Sequence, residues 1–141
     1  MKNIFFYILL ASIFFSNIKF NAQSQSAAVL SVYTQSAKIS PEMAESVLRV
    51  EMTKTEQFKV IDKLDMKEIL EENQIDITNC YGKKCLLRVG KSAGVDKVIT
   101  GSIENLGKKI VITVKILDVA SESYDKVAIE EFINLDSEIQ N

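Results

Sequence analysis

Residues 79–102 read NCYGKKCLLRVGKSAGVDKVITGS, and this run holds both cysteines of the chain and four of its five glycines. Three elements follow one another closely within it. Cys80 and Cys85 bracket a tight loop, Tyr81-Gly82-Lys83-Lys84. A short helix is expected from about Cys85 to Ala93, with Leu86, Leu87, Val89, Gly90 and Ala93 as its apolar positions. Gly94 is placed to end that helix, because a residue without a Cβ takes the left-handed conformation at little cost. Val95 to Ser102 then reads as a buried strand with Val98 and Ile99 inside it. Such a unit needs a helical unit before it and a hairpin after it to close a core.

The preceding chain supplies the first. Ala27 to Thr34 reads as a strand, and Gln35 to Ile39 as a loop. Ser40-Pro41-Glu42 is a strong helix start: a hydroxyl cap, a proline at the first helical position, then an acid that the helix dipole favours. The helix is expected to run to about Glu56. Met43, Ala44, Val47, Leu48 and Met52 form its expected buried stripe, and Glu42, Glu45, Arg49, Glu51 and Lys54 its solvated face. Phe58 to Ile61 is a short second strand. A strand, helix, strand order predicts a right-handed crossover and parallel pairing. Asp65, with Glu68 three positions on, is the expected cap of a second helix. Met66, Ile69 and Leu70 should face inward there.

The following chain supplies the second. Val95 to Glu104 and Lys109 to Val119 read as strands joined at Asn105-Leu106-Gly107-Lys108. Ile110, Ile112, Val114 and Ile116 alternate with Val111, Thr113, Lys115 and Leu117, and the even positions are expected to face the core. Tyr124 to Phe132 returns as a last strand. The order is strand, helix, strand, helix, helix, then three strands. This predicts an α/β fold of the α+β two-layer sandwich kind, a mixed sheet of about five strands with the helices largely on one face. Gly90 in a helix and Gly101 in a strand are expected to serve close backbone approach.

The 141 residues suffice for one domain. Lys2 followed by the apolar run Ile4 to Phe15 has the length of an export signal and is short for a bilayer span. The expected organisation is a signal peptide at 1–22, a polar tether at 23–26, the α/β domain at 27–133 and a polar tail at 134–141. An uncleaved membrane anchor is the alternative for the first segment. No cysteine directly follows the apolar run, so the mature chain is expected to carry no lipid. Loss of Lys2 and Lys19 with the signal leaves 15 basic and 19 acidic residues, a net charge near −4. The signs are interspersed, and no basic cluster points to nucleic acid or an anionic membrane.

The chain has no histidine. That removes the commonest general base, the commonest metal ligand and the usual partner of a nucleophilic serine or cysteine. No enzyme activity, cofactor, metal or small-molecule substrate is expected. In an exported chain the default for Cys80 and Cys85 is a disulfide. A redox couple more often has two intervening residues, and a zinc site needs about four ligands, so both alternatives are weaker. Gly90-Lys91-Ser92 ends like a phosphate loop, but position 85 holds cysteine where that motif needs glycine. The acidic pairs Glu71/Glu72 and Glu130/Glu131 are adjacent in sequence and so do not face one another. Asp62 and Asp65 together suggest a cation, with Asp65 better explained as a cap. Tyr81, Lys83 and Lys84 on the cysteine loop are the candidate contact residues for a protein partner, with an exposed edge strand as the other candidate. For Tyr81 a partly buried anchor role is the competing reading.

These pieces together resemble the curli-assembly CsgG-type domain, which is related in fold to the TolB N-terminal domain and to the lipoprotein activators of penicillin-binding proteins. The carrying residues are Ser40-Pro41-Glu42, Lys54-Thr55 before Phe58 to Ile61, and Met66 with Glu68-Ile69-Leu70. Cys80 and Cys85, Gly90, Ala93 to Asp96, Gly101-Ser102-Ile103 and Leu117-Asp118-Val119 complete the set. The resemblance implies a non-enzymatic, exported envelope protein acting through protein contacts in curli-type secretion and assembly, in the periplasm or on the periplasmic side of the outer membrane. It also implies two other roles, an activator-type partner of a peptidoglycan synthase or a self-assembling ring component of a secretion system. The chain lacks the lipid-anchor cysteine and has no room for the extra strands of a channel subunit.

Overall fold

A computed structural model describes residues 24–133. The expected signal at 1–22 and tail at 134–141 lie outside the described residues. The elements are β1 (Gln25–Gln35), α1 (Pro41–Lys54), β2 (Phe58–Val60), α2 (Lys63–Glu72), α3 (Lys83–Ala93), β3 (Lys97–Asn105), β4 (Lys109–Asp118) and β5 (Ser123–Ile133). They form a mixed five-stranded sheet in the order β2-β1-β3-β4-β5. β1 runs parallel to both β2 and β3, and β3, β4 and β5 form an antiparallel meander.

The caps follow the local chemistry. Met43 N–H donates to the Ser40 hydroxyl at 3.2 Å, with Pro41 opening α1. α3 ends at Gly94, whose φ of 62° is left-handed. The cap of α2 is Asp62, not Asp65: Leu64 N–H donates to its carboxylate at 2.7 Å. Ile61 N–H still donates to Ala27 O of β1 at 2.9 Å, and the chain turns into α2 two residues later. Asp65 falls in the first turn, where the dipole favours it.

Strand residues alternate between two apolar clusters on opposite faces of the sheet. Ala28, Leu30, Val98 and Leu117 pack with Met66, Cys80, Leu86, Leu87 and Val89 under α2 and α3. Ala27, Val29 and Ile99 pack with Leu48, Met52, Val114 and Ile116 under α1. Two helices thus share one face, and α1 adds a third layer on the other. The expected α+β fold, a mixed five-stranded sheet with helices largely on one face, is present, α1 adding a layer to the two expected. The one-sided reading of β4 is corrected. Its even positions face α1, and Leu117 is fully buried on the opposite side.

Two glycines are set by close approach. A Cβ on Gly90 would lie 2.7 Å from Val98 Cγ2 and 2.8 Å from Val119 Cγ2, so α3 can sit down on the sheet only there. A Cβ on Gly101 would run into the Thr113 carbonyl of β4. The expected tether is also corrected, since Gln25 and Ser26 already pair with Phe58 and Lys59 of β2. Ser26 is held further by Asp96, whose carboxylate accepts from its N–H and its hydroxyl at 2.8 Å each.

Candidate functional site

Cys80 and Cys85 form a disulfide, with Cα atoms 5.5 Å apart. Cys80 is buried among the α3-side core residues, so the bond ties the loop to the core. Gly82 occupies the N-cap of α3 and offers no side chain to its first amides. The helix then opens with Lys83 and Lys84, and no acid lies in the first turn. Cations at the positive end of a helix dipole cost a few tenths to about 1 kcal/mol each. Lys84, Arg88 and Lys91 are spaced by four and three residues and share one face. With Leu87, Ser92 and Glu122 they line a shallow surface depression. Lys91 pairs with Glu122 at 2.5 Å and holds that carboxyl below the ordinary range.

The candidate contact residues separate here. Lys83 and Lys84 are exposed, whereas Tyr81 is only half exposed. Its ring meets Tyr33 of β1 edge-on, at 5.3 Å between centroids and 74° between planes. The two tyrosines border a depression with Thr100, Ser102, Glu104 and Lys115. Tyr81 also closes a second cleft that runs past Ser31 to Pro41, Glu42 and Glu45 at the start of α1. Tyr81 therefore anchors the loop and leaves part of its ring at the surface.

Two features escaped the sequence reading. Arg49, assigned to solvent, is buried. Its guanidinium donates to Val29 O at 2.7 Å, Ile61 O at 2.8 Å and Glu45 at 2.8 Å. The cause is the brevity of β2. It pairs with β1 only as far as Ala27, so the carbonyls beyond need another donor. Consequently α1 is rotated about its axis relative to expectation. Met43 and Val47, assigned to the core, are 60% and 53% exposed, and Val50 joins them at 52%. These positions, spaced by four and three, make an apolar stripe on the outer flank of α1. The available signal was the shortness of the second strand, read as Phe58 to Ile61 and three residues long in the structure.

The second is Lys97, buried on β3. Its ammonium donates to Asp118 at 2.7 Å and Asp125 at 2.8 Å. Burial works against the charge, and the two carboxylates outweigh it, so the ammonium is held above its ordinary value. The Lys97 hydrogen bond, then those from Ser121, hold the Asp118 carboxyl far below the usual carboxylate range. All three groups are spent on one another, which fits a structural clasp between β3, β4 and the β4–β5 turn. Among the described residues, no group of three ligating side chains converges on a point. β5 forms an outer edge of the sheet and exposes Val127, Ile129, Phe132 and Ile133.

The chain matches no protein-family model and no curated protein sequence. Its fold is shared with solved structures. The LpoB C-terminal domain from Salmonella enterica aligns with a TM-score of 0.68 at 10% identity, over 79% of this chain and 84% of that one. Lipoprotein GNA1162 from Neisseria meningitidis aligns at 0.62 and 9% identity, over 78% and 81%. A PelC dodecamer subunit from Paraburkholderia phytofirmans aligns at 0.54 and 15% identity, over 79% and 74%. At such identities the likeness shows the fold alone.

Proposed function

We propose that this chain is an exported, non-enzymatic protein of the cell envelope that works by binding another protein, in the manner of an activator of a peptidoglycan synthase. The observation that carries this reading is the fold shared with the LpoB C-terminal domain over about four fifths of each chain. The surface supports it. α3 keeps Lys83 and Lys84 where its own dipole disfavours them, beside the exposed part of Tyr81. A cationic patch on a disulfide-fixed loop suits an acidic partner surface. Both cysteines are spent on each other, so the chain is proposed to act without a lipid on either.

Crosslinking in intact cells with a tagged copy, followed by capture and mass spectrometry, tests the proposal. A peptidoglycan synthase should be recovered, and the Lys83→Glu/Lys84→Glu variant should recover several-fold less. Recovery of export components alone would return the chain to the curli-type reading. A second reading, a self-assembling ring, is favoured by the fold shared with the PelC dodecamer subunit, and it predicts a ladder of self-crosslinked species.

A further inference from the structure

The sheet treats its two edges differently. β2 is three residues long, which blunts one edge. β5 is eleven residues long, contains no proline, and is exposed along its whole length. Val127 and Ile129 are 49% and 60% exposed on one of its faces. The bulge of β5 against β4 lies between Tyr124 and Lys126, so from Lys126 to Ile133 the strand is regular.

Its charges are of two kinds. Asp125 is bound by Lys97 at 2.8 Å, and Glu131 by Lys109 at 2.6 Å. Lys126 and Glu130 have no ion-pair partner among the described residues. They share a face with Ala128, as their β4 neighbours Ile116, Val114 and Ile112 show. An antiparallel copy of the same strand, paired about a two-fold axis at Ala128, sets Lys126 opposite Glu130 of the second copy, and the reverse. It also sets Val127 opposite Ile129 of the second copy on the other face. Moving the axis one pair toward the C-terminus, to Ile129, sets Lys126 against Phe132, and an axis at Glu130 sets that carboxylate against itself. We infer that β5 is a self-complementary edge, and that two copies of this chain join their sheets there by antiparallel pairing of residues 126–130 about Ala128.

The inference is independent of the partner reading, because a monomer that captures a synthase overturns it and leaves that reading standing. Sedimentation of the purified full chain tests it with three variants. The unmodified chain should reach twice the monomer mass as concentration rises. Lys126→Glu and Glu130→Lys should each weaken that association at least about tenfold, since each places two like-charged pairs across the axis. Mixing the two variants should restore it, because positions 126 and 130 then face opposite signs in both pairs, and so should the double exchange in one chain. Ala128→Cys should oxidise to a covalent dimer, whereas Lys59→Cys on β2 should not. A monomer at every concentration overturns the inference. So does an oligomer indifferent to these charges, or two single variants that fold by circular dichroism and fail to restore association when mixed.

Discussion

Arg49 ties α1 to β1 and to the end of β2. It supplies the donors that a longer β2 would have supplied to Val29 O, and it closes the gap to Ile61 O. Arg49→Met should therefore leave two inward carbonyls without partners and lower stability by about 3 kcal/mol in urea unfolding. Arg49→Lys should recover little of this, because one ammonium cannot reproduce the fork. Lys97 and Asp118 make a pH-dependent counterpart. Asp118 is depressed in the folded state, so its contribution is fully present above its ordinary value of 3.8 and is lost as pH falls through the lower folded value. The stability gap between the protein and Asp118→Asn should stay constant from neutral pH to about pH 4 and shrink below it. A gap unchanged in acid would remove the clasp from the account.

At the scale of elements, the cysteine loop and α1 make opposite demands. The disulfide closes a loop of six residues counted inclusively, for which the chain-entropy model gives about 2 kcal/mol. The Cys80→Ala/Cys85→Ala variant should lose at least that in thermal unfolding, because Cys80 also leaves the core. On α1 the exposed stripe should be silent in stability. Met43→Gln/Val47→Gln should change the unfolding free energy by no more than about 0.5 kcal/mol, whereas Leu48→Ala on the buried flank should cost about 2 kcal/mol. Equal losses from both would mean that the outer flank is covered.

At the scale of the molecule, stability is centred on β1 and β3 and thins toward β5. The two clusters meet through adjacent residues, Ala27 to Leu30 and Val98 with Ile99, all essentially inaccessible. Amide exchange should be slowest there, near the global unfolding limit, and fastest in β5 at low concentration. Protection of β5 that grows with concentration would report the second copy on its edge. Uniform protection across all five strands in dilute solution would contradict the gradient.

Much of this fold was legible because its signals are local. Ser40-Pro41, Gly94 and the turn at Asn105 to Lys108 act through neighbours a few residues away. Periodicity alone separates the helices from the strands, and the paired cysteines, tight loop and two close-approach glycines were readable from residue type and spacing. The parallel pairing of β1 with β2 also follows from element order and the handedness of crossovers, whereas the parallel pairing of β1 with β3 has no such local signal. Other features had no local signal. Which flank of α1 is buried depends on carbonyls of β1 that β2 is too short to reach, more than twenty residues from some of the side chains affected. Whether Tyr81 is free or anchored depends on Tyr33, a strand away. Residue types alone account for the elements, their order, the start of α1 and the end of α3, because those depend on steric and hydrogen-bonding preferences within a few residues; the cap of α2 fell on Asp62 rather than Asp65. The burial of Arg49, the exposure of Met43 and Val47 and the open edge of β5 emerge once the sheet is assembled. Each is set by which groups remain unpaired once the sheet has formed.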